Sequence, residues 1–225
     1  MHARKQSNKE NIKLALGFLA LFLGIMILLQ VPAGMLYAIG AITYAGLNFL
    51  SSALLSMSFS ISVFAYLMLF KKMSFKNVVK ALGLDRKRLT KRALGLGVAL
   101  FITVFAIEAL VTALESYFHV TISTNVEELM AGAPLWFYVF AAIVAPTNEE
   151  IMFRGFLVPR LGIIISAVLF AIPHYVYGST YEIEVIAAFI FGLLAGYIYK
   201  KTGSLYASIV AHMLVNIIAV LALLA

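Results

Sequence analysis

The sequence predicts an all-α protein, a polytopic transmembrane bundle of about seven helices, with an eighth possible by length. Three observations predict it. Of 225 residues, 63% are hydrophobic and only 12% charged, whereas a soluble domain carries about 25% charged residues. The apolar residues fall in runs of about 20, the length that crosses a bilayer as a helix. The 17 Lys and Arg residues gather between those runs. Backbone polar groups in lipid must be satisfied within their own segment, so the spans are helices. No room is left for a large soluble domain. The chain is read as one integral-membrane domain, with N-terminal spans and a basic loop in 1–133 and a second group of spans in 134–225.

The spans lie near 13–30, 48–70, 93–114, 134–158, 162–178, 184–199 and 204–224. The first follows a basic tail and resembles a signal peptide, but no small-residue cleavage site precedes the next apolar run. It is therefore an anchored span. The stretch 31–47 is apolar and contains Pro32, Gly34 and Gly40. It fits an eighth short span, a re-entrant piece or an extension of a neighbour; seven spans are favoured. Gly192 and Gly196 form a GxxxG pair in the sixth span, a signal of close helix contact. Trp136 fits an interface anchor at the outer end of the fourth.

The charges orient the chain. Four bases lie in the tail (Arg4, Lys5, Lys9, Lys13), nine between Lys71 and Arg92, and the rest are Arg154, Arg160, Lys200 and Lys201. By the positive-inside rule the N-terminus and loop 71–92 are cytoplasmic. Segment 115–133 holds Glu115, Glu127 and Glu128 without a base, and 179–184 holds Glu182 and Glu184. Both are expected outside, as is the C-terminus. An eighth span at 31–47 would put the basic tail outside. A nucleic-acid surface would be one contiguous basic patch, so no nucleic-acid partner is expected. Loop 71–92 is read first as a topology determinant and second as a site for anionic lipid. Cysteine is absent, so disulfide and thiolate chemistry are excluded.

Ionisable residues at membrane depth are costly and point to function. Glu149, Glu150, Arg154, His174 and His212 stand out, with Asn216 one turn after His212. Glu149 lies 11 residues before Arg160, His212 lies 11 after Lys201, and His174 lies 12 after Gly162. At the helical rise each sits about 16 to 18 Å from the cytoplasmic edge, so three spans place an acid and two imidazoles at one level. Glu150 and Arg154 are four apart and face each other along the helix. They are expected to pair and shape the site, though such a pair also serves as plain structural glue. Glu149 points about 100° away and has no intrahelical cation, which suits a general base. Pro146 is expected to kink or open span four, and Pro173 to widen span five. Single histidines in membrane helices are often packing residues; two at matching depth with Glu and Asn weaken that reading. Glu108 lies nearer the outer edge and suits an interfacial or pairing role. His2 and His119 fall in exposed segments and are given no role.

Glu, two His and an Asn suit two mechanisms. In one, Glu149 activates a water that attacks an amide carbonyl, with the imidazoles and the Asn amide holding the water and stabilising the oxyanion. In the other, Glu149, His174 and His212 bind Zn²⁺ with water in the open position. Asn is an uncommon zinc ligand and no HExxH occurs, which favours the first and a protein without a cofactor. A Ser–His triad is disfavoured, because no serine is tied by spacing to either histidine. A proton or ion carrier is disfavoured too, because the groups lie at one level and form no path.

These residues resemble a known family. EEIMFRG looks like the EExxxR motif of the CAAX-protease and bacteriocin-processing (CPBP, or Abi) membrane proteins. FAIPH, Phe170 to His174, matches their FxxxH motif, and HMLVN, His212 to Asn216, their HxxxN motif. TGSLYASIVAH also looks like the family's final segment, and the resemblance covers about 134–220. It implies that 134–225 is the catalytic core of an intramembrane glutamate endopeptidase. Glu149 would activate water, His174 would help position it, and His212 and Asn216 would complete the site, Asn216 as oxyanion donor. Glu150 and Arg154 would shape it. The implied partners are membrane lipid and a membrane-bound, prenylated or leader-peptide substrate; the depth of the site places that substrate at the cytoplasmic leaflet, and the compact length suits a bacterial cell membrane. Relatives serve bacteriocin maturation, peptide-signal processing or self-immunity, and some are non-catalytic membrane partners. Oligomeric state is not legible.

Overall fold

The computed structural model describes residues 8–117, 130, 132–177 and 182–224. Glu127, Glu128, His2 and His119 lie outside the described residues, as do Arg4 and Lys5 and the side chains of Lys9, Lys13, Glu115, Glu182 and Glu184. The described residues contain helices and no strand, as the membrane requirement dictates. The chain is a helical membrane protein in two units, Met1–Phe75 and Lys76–Ala225.

The first unit is a helical hairpin. Helix α1, Asn8–Ala38, runs straight through Pro32. A turn containing Gly40 leads to α2, Tyr44–Ala65. The Thr43 side chain caps α2 by accepting from the Gly46 amide at 3.1 Å, which satisfies a donor that the first turn leaves orphaned. The stretch 31–47 is therefore no eighth span: residues 31–38 extend α1, 39–43 make the turn and 44–47 start α2. Phe18 meets Tyr66 edge-on at 5.4 Å and Phe22 stacks on Phe59 at 5.8 Å. Gln30 Nε2 donates to the Ser51 carbonyl at 2.9 Å. The hairpin ends in a π-helical turn, Tyr66–Phe70.

The second unit holds the polar intrusions. Short helix α3, Phe75–Ala81, leads into a basic loop and then α4, Lys91–Tyr117. Next comes a composite run. Helix α5, Leu135–Val139, passes into a π-helical segment Phe140–Val144, then α6, Ala145–Glu150, then a second π-helical segment Ile151–Leu157, then α7, Val158–Tyr177. Helices α8, Glu182–Thr202, and α9, Tyr206–Leu224, complete the chain. Among the described residues six helices are long and apolar enough to cross a membrane, one of them a 40-residue run, Leu135–His174. That is twice the length a crossing needs. It breaks at Gly162, whose φ of 84° and ψ of 172° suit only a residue without Cβ. Spans four and five are thus two arms of one helical run. The break lies at Gly162, and α7 continues through Pro173.

Close backbone approach holds this unit together, as expected where lipid removes the hydrophobic drive between helices. Gly192 of α8 faces Ala167 of α7 and Gly196 faces Ile163. Gly97 of α4 faces Ala207 and Val210 of α9. The basic loop docks on the α8–α9 turn. The Leu205 amide donates to the Gly83 carbonyl at 3.1 Å, and Tyr206 Oη to the Leu84 carbonyl at 2.7 Å. Ser204 Oγ donates to the Arg88 carbonyl at 3.0 Å, and the Arg88 guanidinium donates to the Gly203 carbonyl.

Candidate active site

Helix α6 presents the two adjacent acids of the EE motif, and they have different surroundings. Glu150 is fully buried. Its Oε1 lies 2.9 Å from Arg154 Nη1 and 3.0 Å from Nδ1 of His212 on α9. The glutamate–arginine pair expected along the helix is therefore present, with an imidazole added from another span. Arg154 is 1% exposed. Its guanidinium lies 4.0 Å from the Phe170 ring centre and 5.0 Å from that of Phe191. Cation–π attraction strengthens as water is removed, so the two rings cover what the carboxylate does not neutralise.

Glu149 is 22% exposed at its side chain and stands 3.9 Å from His212 Nε2. The two ring nitrogens of one imidazole therefore face the two carboxylates. Because Nδ1 donates to Glu150, Nε2 carries the lone pair in the neutral ring. Second-partner control of a histidine tautomer is a common device at reactive sites.

His174 comes from α7. Its Nδ1 lies 2.9 Å from the Phe170 carbonyl; a carbonyl only accepts, so Nδ1 carries the hydrogen and Nε2 is again the lone-pair nitrogen. The Phe170 ring is 4.8 Å from the His174 ring and 5.6 Å from the His212 ring. The Phe170 ring thus lies beside both imidazoles. Asn216, on α9, donates through Nδ2 to the Ala141 carbonyl at 2.9 Å. The structure thus gathers Glu149, Glu150, Arg154 and His212 directly, and His174 through Phe170, while Asn216 engages backbone.

Side chains satisfy the carbonyls of the second π-helical segment. Ser166 Oγ donates to the Phe153 carbonyl at 2.7 Å, and Arg160 Nη1 to that of Phe156 at 2.7 Å. Such segments leave the regular bond ladder and often occur at functional sites. The residues missed from sequence are Phe191 and Ser166. Both look like ordinary span residues, and only packing reveals them. Phe170 lay within a motif, but its contact with Arg154 had no sequence signal.

The described residues gather no group of three His, Asp or Glu side chains set to hold a metal ion. Glu149, His174 and His212 in this arrangement do not form a ready zinc site. What the cluster offers is a partly accessible carboxylate beside imidazole lone pairs, on a buried, charge-paired frame.

No curated protein and no solved structure matches the chain. The family model described as type II CAAX prenyl endopeptidase Rce1-like matches residues 131–218. That segment contains Glu149, Glu150, Arg154, His174, His212 and Asn216, and over it the chain is similar to the CAAX-protease (CPBP) family.

Proposed function

We propose that the protein is an intramembrane endopeptidase that hydrolyses a peptide bond in membrane-associated peptides or lipidated tails, with water activated by Glu149. One observation carries the reading: the two acids divide the work. Glu150 is spent on Arg154 and His212, while Glu149 is partly exposed and faces an imidazole lone pair. A positioned, ionisable carboxylate with reach to water is what a general base needs.

In the proposed reaction Glu149 takes a proton from water as the oxygen attacks the peptide carbonyl carbon. The carbonyl π pair moves onto oxygen. The intermediate then collapses, the C–N bond breaks, and the proton passes from Glu149 to the departing amine. His174 and His212 hold the water through their lone-pair nitrogens. The site lies about 16 Å from the edge marked by Arg160 and Lys201, which favours substrates presented at the cytoplasmic leaflet of a bacterial membrane. Maturation of a bacteriocin or signal peptide, or self-immunity, would fit such substrates. Loop 71–92 is proposed to face the same leaflet.

The test uses purified protein in lipid vesicles and a farnesylated peptide ending in a CAAX sequence, beside its unprenylated twin, with products read by mass spectrometry. Glu149→Gln should lower turnover about 10²- to 10⁴-fold, with the fold retained. Cleavage that survives Glu149→Gln would sink the mechanism. Comparing membrane peptides from cells carrying either protein then names the substrate. A biological effect untouched by Glu149→Gln would point to a non-catalytic partner.

A further inference from the structure

Asn216 holds the Ala141 carbonyl at 2.9 Å across 75 residues of sequence. The reason lies in the helix it touches. In the segment Phe140–Val144 the Ala145 amide reaches five residues back to the Phe140 carbonyl. That leaves Ala141 without its four-residue donor. The next amide in the five-residue pattern belongs to residue 146, which is proline and has no N–H. The Ala141 carbonyl is thereby denied both helical donors. Inside a membrane protein no bulk water replaces them.

We infer that Asn216 is a positioning residue whose side-chain amide replaces the N–H that Pro146 lacks, and so fixes the π-helical segment that leads into α6 to α9. Glu149 sits three residues after Pro146, and His212 one turn before Asn216. The Asn216–Ala141 bond and the Glu150–His212 bond are then two struts from α9 to the continuous run Phe140–Glu150, and together they set the gap between Glu149 and His212. This role differs from the oxyanion donation that the family resemblance implies for Asn216. It also accounts for Pro146, which otherwise looks like a flaw in span four. The kinetic part of the test rests on the endopeptidase reading; the structural part does not.

Four proteins decide it: wild type, Asn216→Ala, Pro146→Ala and the double variant. Each is purified full-length in detergent. Hydrogen–deuterium exchange is followed over residues 140–150, and kcat and KM are measured on the farnesylated CAAX peptide. Asn216→Ala should speed exchange about tenfold and lower kcat about tenfold to a hundredfold, with KM nearly unchanged. Pro146→Ala should behave like wild type. The double variant should recover both protection and kcat, because residue 146 now has an N–H for Ala141. If Asn216→Ala leaves exchange unchanged, the inference is wrong. If the double variant regains protection but stays as slow as Asn216→Ala, Asn216 acts on the substrate and the inference is also wrong. If wild type does not cleave the peptide, the endopeptidase reading is what fails, and exchange alone decides this one. If Asn216→Ala does not fold, a folded double variant supports the inference and an unfolded one overturns it.

Discussion

Removing one partner of the Glu150–Arg154 pair should cost far more than removing both. The two side chains are 0% and 1% exposed and 2.9 Å apart. Breaking such a buried pair leaves an uncompensated charge and costs about 3–5 kcal/mol. Replacing both partners with neutral side chains of similar size is often near neutral. Arg154→Met keeps the length that packs on Phe170 and Phe191, and Glu150→Gln keeps an acceptor for His212 Nδ1. Each single variant should therefore melt roughly 10 °C below wild type in detergent, using the usual conversion for a chain of this size. The double variant should recover most of that loss. The cycle should return a coupling of several kcal/mol, well above the ~0.5 kcal/mol of independent sites. Additive losses, or single variants that melt with wild type, would refute the idea that this pair frames the site.

Two further outcomes follow from close backbone contacts. A Cβ at Gly97 would stand 2.7 Å from the Ala207 carbonyl oxygen and 2.9 Å from Val210 Cβ, while one at Gly95 would meet nothing within 4 Å. Gly97→Ala should then destabilise by about 1–3 kcal/mol in thermal melts, and Gly95→Ala should leave the melt unchanged. Gly83 has a φ of 77°, and a Cβ there would run into the Gly203 carbonyl. Gly83→Ala should undock the basic loop and speed tryptic cleavage at Arg86–Arg88, against a wild-type loop pinned by Tyr206 and Ser204.

The spans were legible because lipid imposes length and apolarity on any helix that crosses it. Spans 204–224 and 93–114 correspond to α9, Tyr206–Leu224, and α4, Lys91–Tyr117, within three residues at each end. The Glu150–Arg154 pair was legible because four residues along a helix fix a direction. The π-helical segments were not. A shift from four- to five-residue bonding changes no composition, and Pro146 announced only that some irregularity must occur. Helix azimuth was equally hidden. Depth arithmetic could bring His212 level with Glu149, but it could not say that Nδ1 would meet Glu150 or that Phe170 and Phe191 would cover Arg154. The stretch 31–47 stayed open between three readings for a related reason: Pro32 and Gly34 look like punctuation, yet α1 continues through both.

The same second-partner contacts bear on the choice between water and metal. A histidine whose Nδ1 is held by a carboxylate or a backbone carbonyl is the usual outer support of a zinc ligand, and His212 and His174 both have such a contact. That feature alone would favour zinc. The donor set argues the other way. Glu150 already neutralises Arg154 and accepts from His212 Nδ1, and the Asn216 amide is turned to the Ala141 carbonyl through Nδ2. Among the described residues no third donor joins Glu149 and His212. Fixed Nδ1 contacts serve a water-holding imidazole equally well, because they leave Nε2 as an acceptor for a water hydrogen. Exhaustive chelation followed by assay on the farnesylated peptide should therefore leave turnover unchanged, and elemental analysis should find far less than one zinc per chain. Turnover that vanishes with the metal and returns on adding zinc would reverse the argument, and would make Glu149 a ligand where it is now assigned as a base.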